Sequence, residues 1–152
     1  MLIFAPLKKR NGYMNLHRPI WEKYLVVKES GVHGKGIFAT VDIPEDEIIM
    51  IIEGDVISED ECVRREEEEN NVYIFWNGDN YIDCEKSEVI KYLNHLCDPN
   101  CYIEEKDNSS LYLITSSPIK AGDEITIDYA YDEIYETCTC PVCTAEENRK
   151  AG

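Results

Sequence analysis

Three cysteines fall within six residues in Cys138-Thr139-Cys140-Pro141-Val142-Cys143, a crowding that core packing does not explain. Zinc takes four tetrahedral ligands, with thiolate sulfur at ~2.3 Å, so three local thiols leave one position for a donor from elsewhere in the fold. Cys97 and Cys101 are the donors at hand. The competing chemistry for Cys140 and Cys143 is a redox C-x-x-C pair, which normally sits at a helix start in a βαβ setting that this sequence lacks. Cys62 and Cys84, in a predicted helix and strand, read as small buried apolar residues.

Two further segments concentrate polar chemistry. Tyr92-Leu93-Asn94-His95-Leu96-Cys97-Asp98-Pro99-Asn100 packs amides, an imidazole and a thiol into a stretch that ends in a turn-forming Asp-Pro-Asn. Such groups between apolar strands either line a site or satisfy a buried turn; residue types alone do not choose, and a lone His95 is more often structural. In Gly31-Val32-His33-Gly34-Lys35-Gly36 the glycines permit close backbone approach. The segment has neither the phosphate-loop nor the dinucleotide pattern, so a plain hairpin turn is the simpler reading.

The elements that must position these residues are mostly short strands. Tyr24 to Val27 and Gly36 to Ala39 form a hairpin about the glycine turn. Glu47 to Ile52 is a β-branched run expected to be buried on both faces and central in its sheet. Ser58-Glu59-Asp60-Glu61 has capping-box spacing and should open a helix reaching about Asn70, with Glu66 to Glu69 as a solvated acidic face. A second hairpin joins Val72 to Trp76 with Tyr81 to Cys84 through Asn77-Gly78-Asp79-Asn80. A helical turn over Ser87 to Leu93 and strands near 111–115 and 124–128 follow. The expected class is mainly β, a β-rich α+β fold.

At 152 residues the chain fits one domain with a real core. With 31 Asp and Glu against 15 Lys and Arg, the net charge is −16, which repels nucleic-acid phosphates and attracts basic ligands. Direct nucleic-acid binding is therefore not expected. The longest strongly apolar run, Ile48 to Ile52, is far shorter than the ~20 residues a membrane-spanning helix needs. The basic cluster Lys8, Lys9 and Arg10 follows the apolar start instead of preceding it, the reverse of a secretory signal, so an intracellular protein is expected. In that setting seven cysteines, an odd number, argue for thiols or metal ligands over a disulfide framework.

In their order, these segments resemble the SET family of protein lysine methyltransferases, from about Tyr24 to Cys143. Gly34-Lys35-Gly36 is similar to the family's G-x-G, Glu53-Gly54 to the end of its E-Y-x-G strand, and Tyr73-Ile74-Phe75 to its Y-x-F. Tyr81-Ile82-Asp83-Cys84 resembles the strand ending in I-D-A, and Asn94 to Asn100 the N-H-S-C-x-P-N segment. Ala121 to Tyr129 resembles A-G-E-E-L-T-x-D-Y, and Cys138 to Cys143 the cysteine module that follows the domain in many members. The departures are Ile52 at the usual tyrosine, Ser87-Glu88 for Gly-Asn, Lys91 for Arg, and C-x-C-x2-C for the wider C-x-C-x4-C.

The resemblance implies a SET-type fold of small curled sheets in which a C-terminal segment threads beneath a loop. It implies an N-terminal arm over 1–23, a catalytic domain over 24–136, and a zinc module with tail over 137–152. Gly34, Lys35, Gly36 and Tyr73 would hold S-adenosylmethionine, with Asn94 and His95 at its amino-acid and adenine parts. Tyr129 takes the place of the active-site tyrosine, and Ile127 the position that influences how many methyl groups are added. Zinc would be bound by Cys97, Cys138, Cys140 and Cys143. The implied substrate is a basic protein such as a histone tail, which places the protein at chromatin in the nucleus if the source is eukaryotic. The rival expectation is a scaffold of the same family that binds a basic partner without methyl transfer, supported by Ile52. A zinc-ribbon adaptor would need paired C-x2-C knuckles, of which there is one.

Overall fold

The computed structural model describes residues 18–129. In chain order the elements are β1 (Leu25–Glu29), β2 (Lys35–Ala39), β3 (Ile48–Glu53), β4 (Asp55–Ile57), α1 (Glu59–Glu69), β5 (Ile74–Asn77), β6 (Asn80–Asp83), β7 (Asn94–His95), β8 (Cys101–Asp107), β9 (Ser110–Thr115) and β10 (Glu124–Ile127). Short 3₁₀ turns occupy Ile20–Tyr24 and Ile90–Tyr92. Three small sheets result, with orders β1-β2-β10-β7, β3-β9-β8 and β4-β6-β5. The strand-rich class with small sheets is the one expected. Among the described residues no helix is long and apolar enough to cross a membrane.

One core joins all three sheets. Ile37 and Ile125 come from the first, Ile52 and Leu113 from the second, and Phe75 and Ile82 from the third. Each such side chain contributes ~1.5–3 kcal/mol on full burial, so the three sheets stabilise one another through this shared core. β7 pairs in parallel with β10, Thr126 opposite Asn94 and Ile127 opposite His95. That ladder sets Asn94-His95 beside the end of β10, two residues before Tyr129.

Both predicted hairpins form, and the second turns through Gly78 at φ 68. The expectation of a central β3 is corrected: Ile49 and Ile52 are fully buried, but β9 is central and β3 lies at the edge. The 3₁₀ turn covers that edge, because Glu22 Oε1 accepts from the Ile51 N–H at 2.9 Å and Trp21 Nε1 donates to Glu47 Oε2 at 2.9 Å. An apolar run reports burial of both faces, and a carboxylate can satisfy the edge in place of a second strand.

The capping box is half formed. Ser58 Oγ accepts from the Glu61 N–H at 3.2 Å, whereas the Glu61 carboxylate turns to Arg64 at 2.7 Å and Arg65 at 2.8 Å. Those two guanidiniums hold its pKa down to about 2. α1 closes at Asn70 in the left-handed region, φ 53, as a helix C-terminus often does. β8 has no counterpart in the sequence reading, since Glu104, Glu105, Lys106 and Asp107 break its apolar pattern while pairing with β9 supplies its order.

Candidate active site

A cavity of about 600 Å³ opens where the β1–β2 loop, the start of β5, the segment 90–95 and Tyr129 meet. That size suits a ligand of small-molecule dimensions. Its walls are built from sequence-distant pieces, and each piece is held by an identifiable device.

The loop is closed by the Ser30 N–H donating to Gly34 O at 2.8 Å, and Ser30 Oγ accepts from the Val32 N–H at 2.9 Å. Gly34 takes φ +47, a conformation that side chains rarely adopt. From the other side Asn94 Nδ2 reaches His33 O at 3.1 Å, Lys35 O at 2.9 Å and Glu124 Oε1 at 2.8 Å. Glu124 also accepts from Ser30 Oγ at 2.8 and 2.7 Å. Gly36 is needed here for room: a Cβ at that position would stand 2.0 Å from Glu124 Oε1. Gly36 thus backs the loop and does not line the cavity, while Gly34 and Lys35 do.

The opposite wall is the segment that enters β5. Tyr73 lines the cavity and is 37% exposed, whereas Phe75, within β5, is buried. The Tyr73 N–H donates to Asn71 Oδ1 at 2.9 Å, and its carbonyl accepts from the Cys84 N–H at 2.8 Å. Asn71 Nδ2 donates to Asp83 Oδ2 at 2.8 Å, which also receives Arg65 at 2.6 Å. Burial works against ionisation of Asp83, but the Glu85 N–H, Arg65 and Asn71 outweigh it and hold the carboxyl below its usual range.

At the far end, the Tyr129 hydroxyl donates to Leu93 O and the Tyr129 N–H to His95 Nδ1 at 2.9 Å. With Nδ1 accepting, the neutral imidazole carries its proton on Nε2, which lies 3.3 Å from Cys97 Sγ. The His95 and Tyr129 ring centroids are 5.2 Å apart. His95 therefore joins Tyr129 to Cys97 and is buried in doing so.

Of the residues expected at the site, Gly34, Lys35, Tyr73, Asn94, His95 and Tyr129 are brought together around one cavity. Asn94 spends its amide nitrogen on the loop and Glu124. The two candidates for the fourth zinc position are separated: Cys101 is buried in the main core, where burial pushes its thiol well up, and Cys97 is only half-buried beside His95. Cys138, Cys140 and Cys143 lie outside the described residues. Among the described residues no group of three or more His, Cys, Asp or Glu is placed to hold a metal ion. Phe75, Tyr92 and Leu93 also line the cavity; they belong to the Y-x-F and Tyr92–Asn100 segments, which by themselves assign them no role there. Phe75 was legible from period-two alternation with Tyr73, and Tyr92 from its place before Asn94; Glu124 and Ser30 carried no local signal.

Residues 34–130 match the SET domain. The chain is 31% identical over 134 residues to human histone-lysine N-methyltransferase 2D, covering 82% of this chain and 2% of that protein. It is 37% identical over 108 residues to Drosophila melanogaster histone-lysine N-methyltransferase Set2, covering 64% of this chain and 5% of that protein. It thus spans a small fraction of the length of these relatives. Among solved structures it resembles a chain in the crystal structure of an active polycomb repressive complex 2 in the basal state, with TM-score 0.64 and 26% identity over 78% of this chain and 16% of that one. With the matched segment running from the Gly34 loop past Tyr129, the chain belongs to the SET domain family.

Proposed function

We propose that this chain is an S-adenosylmethionine-dependent protein lysine N-methyltransferase acting on a basic protein such as a histone tail. The observation that carries the proposal is the convergence of the Gly34 loop, Tyr73, Asn94, His95 and the Tyr129 phenol on one cavity. The cofactor, when bound, supplies an electrophilic methyl group on a positively charged sulfur. Gly34, Lys35 and Tyr73 are the residues that would hold it, with Asn94 and His95 bracing the floor. A phenol that donates its proton, as Tyr129 does to Leu93 O, is able to accept from a lysine amine and so orient it. In an apolar passage the lysine pKa, ordinarily ~10.4, falls because burial disfavours the ammonium. Alignment then carries most of the rate advantage, with reacting atoms ~3–3.5 Å apart.

Tyr129→Phe tests this directly. It should retain S-adenosylhomocysteine binding by calorimetry while losing most methyl incorporation into basic proteins; an unchanged rate removes Tyr129 from the mechanism. Ile127, buried on β10, brings no hydroxyl, which favours di- or trimethylated product; mass spectra showing only the monomethyl form would count against that. The net charge of −16 should draw a basic substrate over ~8–10 Å, an attraction that salt weakens. A nuclear, chromatin-associated location follows from this reading in a eukaryotic source.

We further propose that zinc is held by Cys97 with Cys138, Cys140 and Cys143. The His95 Nε2–H directed at Cys97 Sγ is the kind of donor that supports a ligating thiolate. One observation favours a second reading, a family scaffold that binds without methyl transfer. Ile52, at the usual tyrosine position, is fully buried in the core and supplies no hydroxyl. Cofactor binding without methyl incorporation into any basic protein would select it.

A further inference from the structure

We propose that Asn71 and Asp83, neither of which lines the cavity, are positioning residues that set the Val72-Tyr73 wall. The proposal rests on reading the cavity as the cofactor site. The wall itself is weakly held: Val72 and Tyr73 are 57% and 37% exposed and precede the first residue of β5. Two backbone groups of Tyr73 anchor it, the N–H to Asn71 Oδ1 at 2.9 Å and the carbonyl to the Cys84 N–H at 2.8 Å. Asn71, 2% exposed, is oriented in turn by Asp83 Oδ2 at 2.8 Å.

Asp83 is fixed from two directions, by the Glu85 N–H on Oδ1 at 2.9 Å and by Arg65 of α1 on Oδ2 at 2.6 Å. From Tyr73 through Asn71 to Asp83 the bonds run in one direction, and Arg65 donates into the same carboxylate from the other side, because a carboxylate only accepts and an amide both donates and accepts. Buried at 2% and 6% exposure, neither Asn71 nor Asp83 has water to replace a lost partner, so breaking one link releases the next.

The polarity supplies the test. Asn71→Ala removes both links, and Asn71→Asp sets a carboxylate against Asp83. In N71D/D83N the new carboxylate at position 71 accepts from the Tyr73 N–H and from the new amide at position 83, so that link re-forms with its direction reversed, while Arg65 loses the carboxylate oxygen it shared with Asn71. Two readouts are needed: amide hydrogen exchange over 72–75 in the free protein, and S-adenosylhomocysteine affinity by calorimetry with kcat and the cofactor KM. N71A and N71D should exchange faster over 72–75 with β9 unchanged, and bind about tenfold more weakly with kcat within about twofold. N71D/D83N should recover part of both, the Arg65 bond to position 83 remaining lost.

Equal exchange and affinity in N71A overturn the proposal, as does a double variant no better than N71D alone. If the unsubstituted protein fails to bind S-adenosylhomocysteine, the cofactor reading fails, and the exchange data still decide whether Asn71 positions the wall.

Discussion

Replacing Gly36 with alanine would set a methyl group where the Glu124 carboxylate already stands, 2.0 Å from Oε1 and 2.7 Å from Cδ, with Asn94 Nδ2 at 3.2 Å. The backbone there is a paired strand, with Gly36 opposite Lys28, so the carboxylate is what must move. Moving it breaks contacts to Ser30 Oγ at 2.8 and 2.7 Å and to Asn94 Nδ2 at 2.8 Å. Hydrogen bonds to an ionised group contribute ~1.5–3 kcal/mol each, partly recovered here by rehydration of a half-buried carboxylate. Against this, alanine gains ~0.5–1 kcal/mol over glycine inside a strand. The net loss is about 2–3 kcal/mol, which lowers Tm by roughly 4–12 °C in a domain of this size.

Thermal melts of Gly36→Ala, Glu124→Ala and the double variant test the origin of the loss. Once Glu124 is gone the methyl group has room, so the double variant should be no less stable than E124A, and up to about 1 kcal/mol more so. Additive losses, or a Gly36→Ala protein as stable as the unsubstituted one, would refute the assignment of Gly36 to steric clearance.

Ser58→Ala should cost ~1 kcal/mol in a denaturant melt by removing the acceptor at the start of α1; no change would mean that the Glu61 N–H is satisfied elsewhere. Asp83 has a folded-state pKa below its usual 3.8, so its contribution is present above that value and lost as pH falls through the lower, folded one. The Tm advantage of the unsubstituted protein over Asp83→Asn should therefore hold at neutral pH and shrink below about pH 4. A gap that widened in acid would reverse the sign of the argument. Cys97→Ser should lower zinc content measured by elemental analysis, whereas Cys101→Ser should leave it unchanged and lower stability through the core; loss of zinc in the second alone would exchange their roles.

Local pattern was enough for the hairpins, α1 and the β-rich class, because side-chain alternation, turn residues and a helix cap act within a few positions of themselves. It misjudged β3, whose apolar run states that both faces are covered but not whether a second strand or Glu22 satisfies its edge. It missed β8, where Glu104 is buried and order comes from pairing with β9. It also left Cys97 and Cys101 equivalent as donors, since spacing carries no information on which thiol enters the core.

By itself, then, the sequence determined which segments carry polar chemistry and in what order they come, because residue type and spacing are properties of the chain. The tertiary structure alone decided that Gly36 makes room for Glu124, that Asn94 braces a loop whose Lys35 lies 59 positions away in sequence, and that Tyr129 meets Leu93. Those outcomes depend on the parallel ladder of β7 with β10. A long-range pairing of that kind is selected by the free energy of the whole core and has no local signature.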